Sequence, residues 1–260
     1  MQWCAKPEAT SPSKTELPKT TERLPYRELV GSLQYLVSAS RQNIAHATRH
    51  LDKFQDCFND THYAQVKRVL RYLQLTKYYG FVMNVSEETS VELMTYSDAE
   101  YANDHVERRS ISGYVTMLDG NVILYASRKQ EINAMSTCET EYAAMSEAAK
   151  DMLWLQGISK ALAWQNPVPL MLDDNEGAIS LSVKPGKHSK TKHIENKYHM
   201  VRKNVELKRM KVDHCGTEDM VADTMMMALG AVTFARFRKA MQGLPVVAAD
   251  NENTADAIAA

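Results

Sequence analysis

The chain has 260 residues, 44% of them hydrophobic and 24% charged, with a formal net charge of −1. This is ordinary globular composition with room for one large domain or two small ones, and the overall balance singles out no class of partner. The four cysteines, Cys4, Cys57, Cys138 and Cys215, are scattered without Cys-x-x-Cys pairs, which excludes a disulfide scaffold and reads as a reduced intracellular protein. No run approaches ~20 apolar residues and no charged-then-apolar leader opens the chain, so neither a membrane span nor a signal peptide is expected.

Residues 1–24 are rich in Pro, Ser, Thr and Lys and read as a disordered leader. A helical segment over 25–85 follows. Leu29, Leu33, Leu36 and Val37 form one stripe, and Ile44, Ala47 and Leu51 form a second. Thr61 is the expected N-cap of a third helix with Val66, Val69, Leu70 and Leu73 on one face. Gly80 to Val85 reads as a short strand. These helices carry no converging acids and are given a packing or positioning role.

A second domain is expected over 90–230. Three strands fall near 91–98, 112–118 and 121–127, with Asp119-Gly120-Asn121 as the hairpin turn. Ser136 or Thr137 opens a long helix from Glu139 to Leu162. Val168 to Asp174 is a fourth strand, Asn175 to Ser182 a short helix, 194–207 another helix and Arg209 to His214 a fifth strand. Thr217 is expected to cap a helix over 218–229. The order β-β-β-α-β-α-α-β-α predicts an α/β fold, a mixed five-stranded sheet flanked by helices. A C-terminal helix near 232–242 and an acidic tail complete a final segment, 231–260.

Four acids stand out because each ends or lines an apolar face. Alternation along a strand groups Asp98 with Met94 and Tyr96, and Asp174 with Leu170 and Leu172. On the long helix, Glu139 and Glu141 lie about 200° apart, so only one can face the sheet. Glu141 shares its face with Met145, Ala148, Met152 and Leu155, whereas Glu139 lies with Ala143, Ser146 and Lys150 and suits the helix dipole. Asp223 lies on the side of Met220 and Met227. Burying like charges together costs several kcal/mol per ion unless cations neutralise them. Hard divalent cations held by oxygen are the usual solution, and two of them can activate water and stabilise a leaving oxygen in phosphodiester cleavage.

From Val183 to Lys211 there are ten Lys/Arg against two Glu. Lys187, Ser189, Lys190, Thr191, Lys192 and Lys197 are candidate phosphate contacts there, with Asn175 beside Asp174 as a further substrate contact. His188, His193, His199 and Cys215 fit no common zinc spacing, and Met225 to Met227 read as core filler.

Several motifs in fixed order, Tyr96-Ser-Asp-Ala-Glu-Tyr-Ala-Asn-Asp104, Arg108-Arg-Ser-Ile-Ser-Gly-Tyr114, Ser136-Thr-Cys-Glu-Thr-Glu-Tyr142, Asp174-Asn175, Lys192-His-Ile194 and Val221-Ala-Asp223, resemble the ribonuclease H domain of copia-type retrotransposon polyproteins. Pro25 to Leu36 and Val69 to Leu73 resemble the end of the reverse transcriptase that precedes it. The resemblance implies a ribonuclease H-like fold and Mg2+-dependent cleavage of the RNA strand of RNA–DNA hybrids, leaving a 3′-hydroxyl and a 5′-phosphate. It implies two Mg2+ ions, with Mn2+ as a substitute, held by Asp98, Glu141, Asp174 and Asp223. The implied partners are an RNA–DNA hybrid and the reverse transcriptase part of the same polyprotein, with no membrane. The implied location is a cytoplasmic particle or the nucleus, not the secreted space.

The chain departs from the family in three places. No tyrosine-aspartate-aspartate polymerase motif is present. Thr224-Met-Met-Met-Ala-Leu229 replaces a Leu-Thr-Lys-Pro-Leu-like run, and Arg41-Gln-Asn-Ile44 replaces Arg-Pro-Asp-Ile. A decayed, non-catalytic remnant that only folds or binds nucleic acid is the alternative reading. An integrase-like nuclease is a third, disfavoured by the helical lead-in and by the lack of a zinc-binding His/Cys head before the acids.

Overall fold

The computed structural model describes residues 24–83, 90–101, 109–131, 134, 136–165, 167–183 and 200–242. Two compact units emerge, Met1–Val82 together with Ala228–Ala260, and Met83–Met227.

The first unit is helical. Helix α1 (Tyr26–Ala39) buries Tyr26, Val30, Leu33 and Val37, a stripe one position removed from the expected Leu29 and Leu36, which are only half-buried. A 3-10 turn (Gln42–Ile44) leads into α2 (Ala45–Asp52), and α3 spans Asp60–Leu75. The N-cap of α3 is Asn59, not Thr61. The Asn59 side chain accepts from His62 N–H and His62 Nδ1 accepts from Asn59 N–H, a reciprocal cap in which His replaces the usual Glu or Gln. Gly80 to Met83 form no strand; Asn84 and Val85 lie outside the described residues.

Helix α8 (Ala231–Gln242) belongs to this same unit. Gln42 Nε2 donates to the Met241 carbonyl at 3.0 Å, and Arg238 Nη1 to the Tyr72 hydroxyl at 3.4 Å. Buried Arg41 donates from Nη1 to the Thr76 carbonyl at 2.8 Å and from Nη2 to Thr76 Oγ1 at 2.5 Å. Its charge therefore meets the negative end of α3.

The second unit is built on strands β1 (Leu93–Glu100), β2 (Ile111–Leu118), β3 (Asn121–Lys129), β4 (Leu170–Asp173) and β5 (Lys211–His214). They form one sheet in the order β3-β2-β1-β4-β5. The first three strands pair antiparallel, whereas β4 joins β1, and β5 joins β4, in parallel. The β2–β3 turn has positive φ at Asp119 (48°) and Gly120 (73°), a two-residue type I′ connection, so Asn121 already begins β3.

Parallel pairing requires crossovers. Helix α4 (Thr137–Ala161) links β3 to β4. Helix α5 (Glu176–Val183) and α6 (200–206) lie between β4 and β5. Ser136 is the N-cap of α4, its Oγ accepting from Glu139 N–H at 3.2 Å. Met145, Ala148, Met152 and Leu155 pack on Leu93, Tyr114 and Met171 of the sheet. Ala143 and Ser146, assigned to the polar face, are buried as well, because α5 and α6 supply Ala178 and Val201 to the same core.

The other face of the sheet is covered by Cys215, Met220 and Ala222, against Tyr96 and Leu172. The expected 218–229 helix is absent. A 3-10 turn (Thr217–Asp219) and a single helical turn, α7 (Asp223–Met226), take its place. Gly113 lies opposite Asp98 on β2. A Cβ there would stand 2.5 Å from Met226 Cγ and 2.9 Å from Met225 Cβ, so only glycine lets α7 approach.

Gly113→Ala is therefore expected to lower stability by about 1–3 kcal/mol through overpacking. Equilibrium denaturation of the purified variant measures this, and an unchanged midpoint refutes the close-approach argument.

Candidate metal centre

In parallel strands the same end of each lies at the same edge of the sheet. Tyr96 pairs with Leu172 across β1 and β4, so two residues further on Asp98 and Asp174 emerge together. Asp98 is buried and Asp174 half-buried. The first turns of α4 carry Glu141 to this edge, and Asp223 arrives as the first residue of α7; both are buried. Asp98, Glu141 and Asp174 each place a carboxylate oxygen within 4.8 Å of the others. Asp98 lies close enough to both Asp223 and Glu141 to raise each of them.

The electrostatics match this crowding. Burial raises Asp98, opposed by its hydrogen bond with the Ala99 N–H and assisted by the charge of Asp174. Burial, then Asp98, Asp173 and Asp174, pushes Glu141 far above the carboxylate range. Burial and Asp98 raise Asp223. Glu141 Oε2 is buried without a hydrogen-bond partner. An orphaned oxygen among converging carboxylates is what a hard divalent cation would satisfy. The donor set fits such an ion.

Of the other expected substrate contacts, Asn175 alone is among the described residues. Asn175 Oδ1 accepts from Ala178 N–H at 3.0 Å and thus caps α5. Lys187, Ser189, Lys190, Thr191, Lys192 and Lys197 lie outside the described residues. Glu139, half-buried, stays out of the convergent set.

Asp173 and Ser97 carried no role in the sequence reading, and Thr217 only that of a helix cap. Asp173 is fully buried and raised to about 7, by burial first, against hydrogen bonds from Asn175 N–H and Ser97 Oγ. Thr217 Oγ1 donates to Asp174 Oδ2 at 2.9 Å. The signal for Asp173 was present in the parity of β4, which groups it with Met171, but only a sheet covered on both faces makes that side the deeper one.

A mixed five-stranded sheet flanked by helices, with three carboxylates converging at one edge, defines an α/β domain whose donor set fits a divalent cation. No protein-family model matches the chain. It is 35% identical over 241 residues (90% of this chain, 16% of the relative) to the retrovirus-related Pol polyprotein from transposon RE2 of Arabidopsis thaliana. It is 34% identical over 220 residues (84% of this chain, 15% of the relative) to that from transposon RE1 of the same plant. The secreted RxLR effector protein 161 of Plasmopara viticola is 40% identical over 134 residues, 52% of this chain and 93% of that one. Among solved structures, LC11-RNase H1 in complex with an RNA/DNA hybrid aligns with a TM-score of 0.39 at 19% identity, covering 52% of this chain and 93% of that one.

Over most of its length the chain is thus similar to Pol polyproteins of copia-type retrotransposons. It spans about one sixth of the length of the Pol relatives it matches. No helix among the described residues is long and apolar enough to cross a membrane.

Carboxyls with raised folded-state values contribute stability that is complete below about pH 4, their unfolded range. That contribution is lost as pH rises through the folded values, with Asp173 near 7. Metal-free protein is therefore expected to melt at progressively lower temperature from pH 5 to pH 8, and saturating Mg2+ to restore most of the loss. Thermal melts with EDTA and with Mg2+ test both halves. A midpoint that rises with pH in EDTA refutes the like-charge account.

Proposed function

We propose that the Met83–Met227 unit is a divalent-metal-dependent endonuclease that hydrolyses the RNA strand of RNA–DNA hybrids during reverse transcription. The observation that carries this reading is the convergence of Asp98, Glu141 and Asp174 within 4.8 Å, with Asp223 near enough for Asp98 to raise it. Asp98, Glu141, Asp174 and Asp223 would hold two Mg2+ ions, or Mn2+ in their place. Bound there, the ions supply a nucleophilic water at neutral pH and stabilise charge on the leaving oxygen.

The chain's own residues do the arranging. Glu141 is aimed by a helix whose start is fixed at Ser136, and Asp174 is oriented by the Thr217 hydroxyl. Glycine at 113 allows Asp223 to reach Asp98. A polyanionic partner also suits the helical unit, whose described residues hold eleven Lys/Arg against four acids. Lys67, Arg68 and Arg71 share one exposed side of α3. The proposed setting is a polyprotein with its reverse transcriptase, in a cytoplasmic particle or the nucleus.

Asp98→Asn and Asp174→Asn are expected to abolish cleavage of a hybrid while the fold persists, since an amide keeps the shape but loses the charge that binds Mg2+. Glu141→Gln is expected to be severe and Glu139→Gln mild. Single-turnover rates on hybrid, duplex DNA and duplex RNA at saturating Mg2+ measure this; full activity in either Asp variant, or equal losses in the two Glu variants, sinks the assignment.

Replacing Lys187, Lys190, Lys192 and Lys197 with Ala should weaken hybrid binding and flatten its salt dependence. The slope of log affinity against log salt should fall by roughly one unit per lost phosphate contact. Binding titrations across salt concentrations check it, and an unchanged slope removes these lysines from the interface.

A further inference from the structure

The ladder between β1 and β4 pairs Met94 with Leu170, Thr95 with Met171 and Tyr96 with Leu172, and then stops. Asp98 and Asp174 lie two residues beyond its last rung. Neighbouring strands in a twisted sheet are rotated by roughly 20–25°, so unpaired ends tend to splay. Carboxylates that must share one cation need the opposite.

The next rung is supplied by side chains. Ser97 Oγ donates to Asp173 Oδ2 at 2.9 Å, with both residues fully buried. Asp173 Oδ1 accepts from Asn175 N–H at 3.0 Å, which closes the turn carrying Asp174. The Asp173 carbonyl accepts from Cys215 N–H at 2.9 Å, tying in the end of β5. One residue thus connects the position before Asp98 to the positions on both sides of Asp174.

Side-chain alternation puts Ser97 and Asp173 on the α4 face of the sheet, opposite Asp98 and Asp174. Tyr114, paired with Ser97, lies in the α4 core, whereas Gly113, paired with Asp98, meets α7. Asp173 therefore lies on the α4 side, near enough to raise Glu141, and is not one of the three residues whose oxygens converge. An apolar side chain would fill the same volume without a buried carboxyl. The hydrogen bonds are what the carboxyl adds.

We propose that Ser97 and Asp173 are positioning residues, a side-chain rung that extends the β1–β4 ladder and sets the separation of Asp98 and Asp174. This rests on the reading of those two aspartates as cation ligands. The pair acts on the cation and, through it, on the rate of hydrolysis, not on capture of the hybrid.

The test compares Ser97→Ala, Asp173→Ala, Asp173→Asn and the double Ala variant with the parent chain. Mg2+ affinity is read by calorimetry, and single-turnover rate and KM on an RNA–DNA hybrid are read alongside. Loss of a hydrogen-bonding partner outside the ligand set commonly weakens metal binding about 10–100-fold; here about tenfold is expected in each Ala single variant. KM for the hybrid should stay put. The double variant should be no weaker than the worse single one, because both remove the same bond.

Asp173→Asn should retain more affinity than Asp173→Ala, since an amide oxygen can still accept from Asn175 N–H. Ser97→Ala removes only a hydroxyl, which keeps the test decisive if Asp173→Ala fails to fold. Parent-like Mg2+ affinity in Ser97→Ala, or fully additive losses in the double variant, overturns the positioning role. A loss in Asp173→Asn as complete as in Asp174→Asn overturns it too, by making Asp173 a ligand. A parent chain that binds Mg2+ but cleaves no hybrid defeats the nuclease reading while the affinity series still decides the rung. One that binds no Mg2+ defeats both.

Discussion

Carboxylates held within 4.8 Å of one another repel, and burial removes the water that would screen them. Most of the distinctive geometry in the Met83–Met227 unit follows from keeping them there. The strand ends, the first turns of α4 and the short α7 each deliver one or two acids from a separate element. The repulsion is thus opposed by the packing of the whole unit and not by any single loop. Burial and the neighbouring charges raise Glu141 and Asp223, so protonation is one way in which the repulsion is relieved. A divalent cation relieves it by another route, and the competition between proton and cation couples its occupancy to pH.

Such a site demands a sheet covered on both faces. The α4 side is filled by Tyr142, Met145, Met152, Met171 and their neighbours, and the α7 side by Cys215, Met220 and Ala222 against Tyr96 and Leu172. The first anchors the helix that carries Glu141, and the second anchors the turn that carries Asp223. Gly113 links the second layer to the sheet, for its missing side chain lets Met225 and Met226 rest directly on β2. Stability and site geometry therefore share the same contacts, and changes in the core reach the acids.

Much of this was legible in the sequence. Two-residue alternation placed the strands, and the Ser136 cap and the Met145–Met152 stripe placed α4. The like-sided grouping of Asp98 with Tyr96, and of Asp174 with Leu172, selected acids that do converge. The misreadings have physical causes. Thr61 looked like a cap, but a histidine at the third helical position gave Asn59 a reciprocal partner that a pattern of Ser, Thr, Glu and Gln does not include. The stretch after Thr217 contains enough methionines to suggest a helix. Packing against Gly113 and Tyr96 instead breaks it into a 3-10 turn and one helical turn. The kinship of α8 with α1–α3 could not be read locally, because the Gln42–Met241 and Arg238–Tyr72 bonds join residues far apart in the chain. Asp173 escaped because periodicity reports which residues share a face, not which face lies deeper.

The departures from the family pattern bear on whether the chain has decayed. A run of methionines where the family carries Leu-Thr-Lys-Pro-Leu-like residues would count as decay if it disordered the segment bearing Asp223. Met225 and Met226 are instead fully buried on β2, and an unbranched thioether adapts to an irregular gap more readily than a branched side chain does. The altered Arg41-Gln-Asn-Ile44 is accommodated in the same way. Arg41 caps α3 through Thr76, and Gln42 reaches the end of α8. Both stretches are thus held by ordinary packing and hydrogen bonds, and the sheet edge still brings Asp98, Glu141 and Asp174 within reach of one cation.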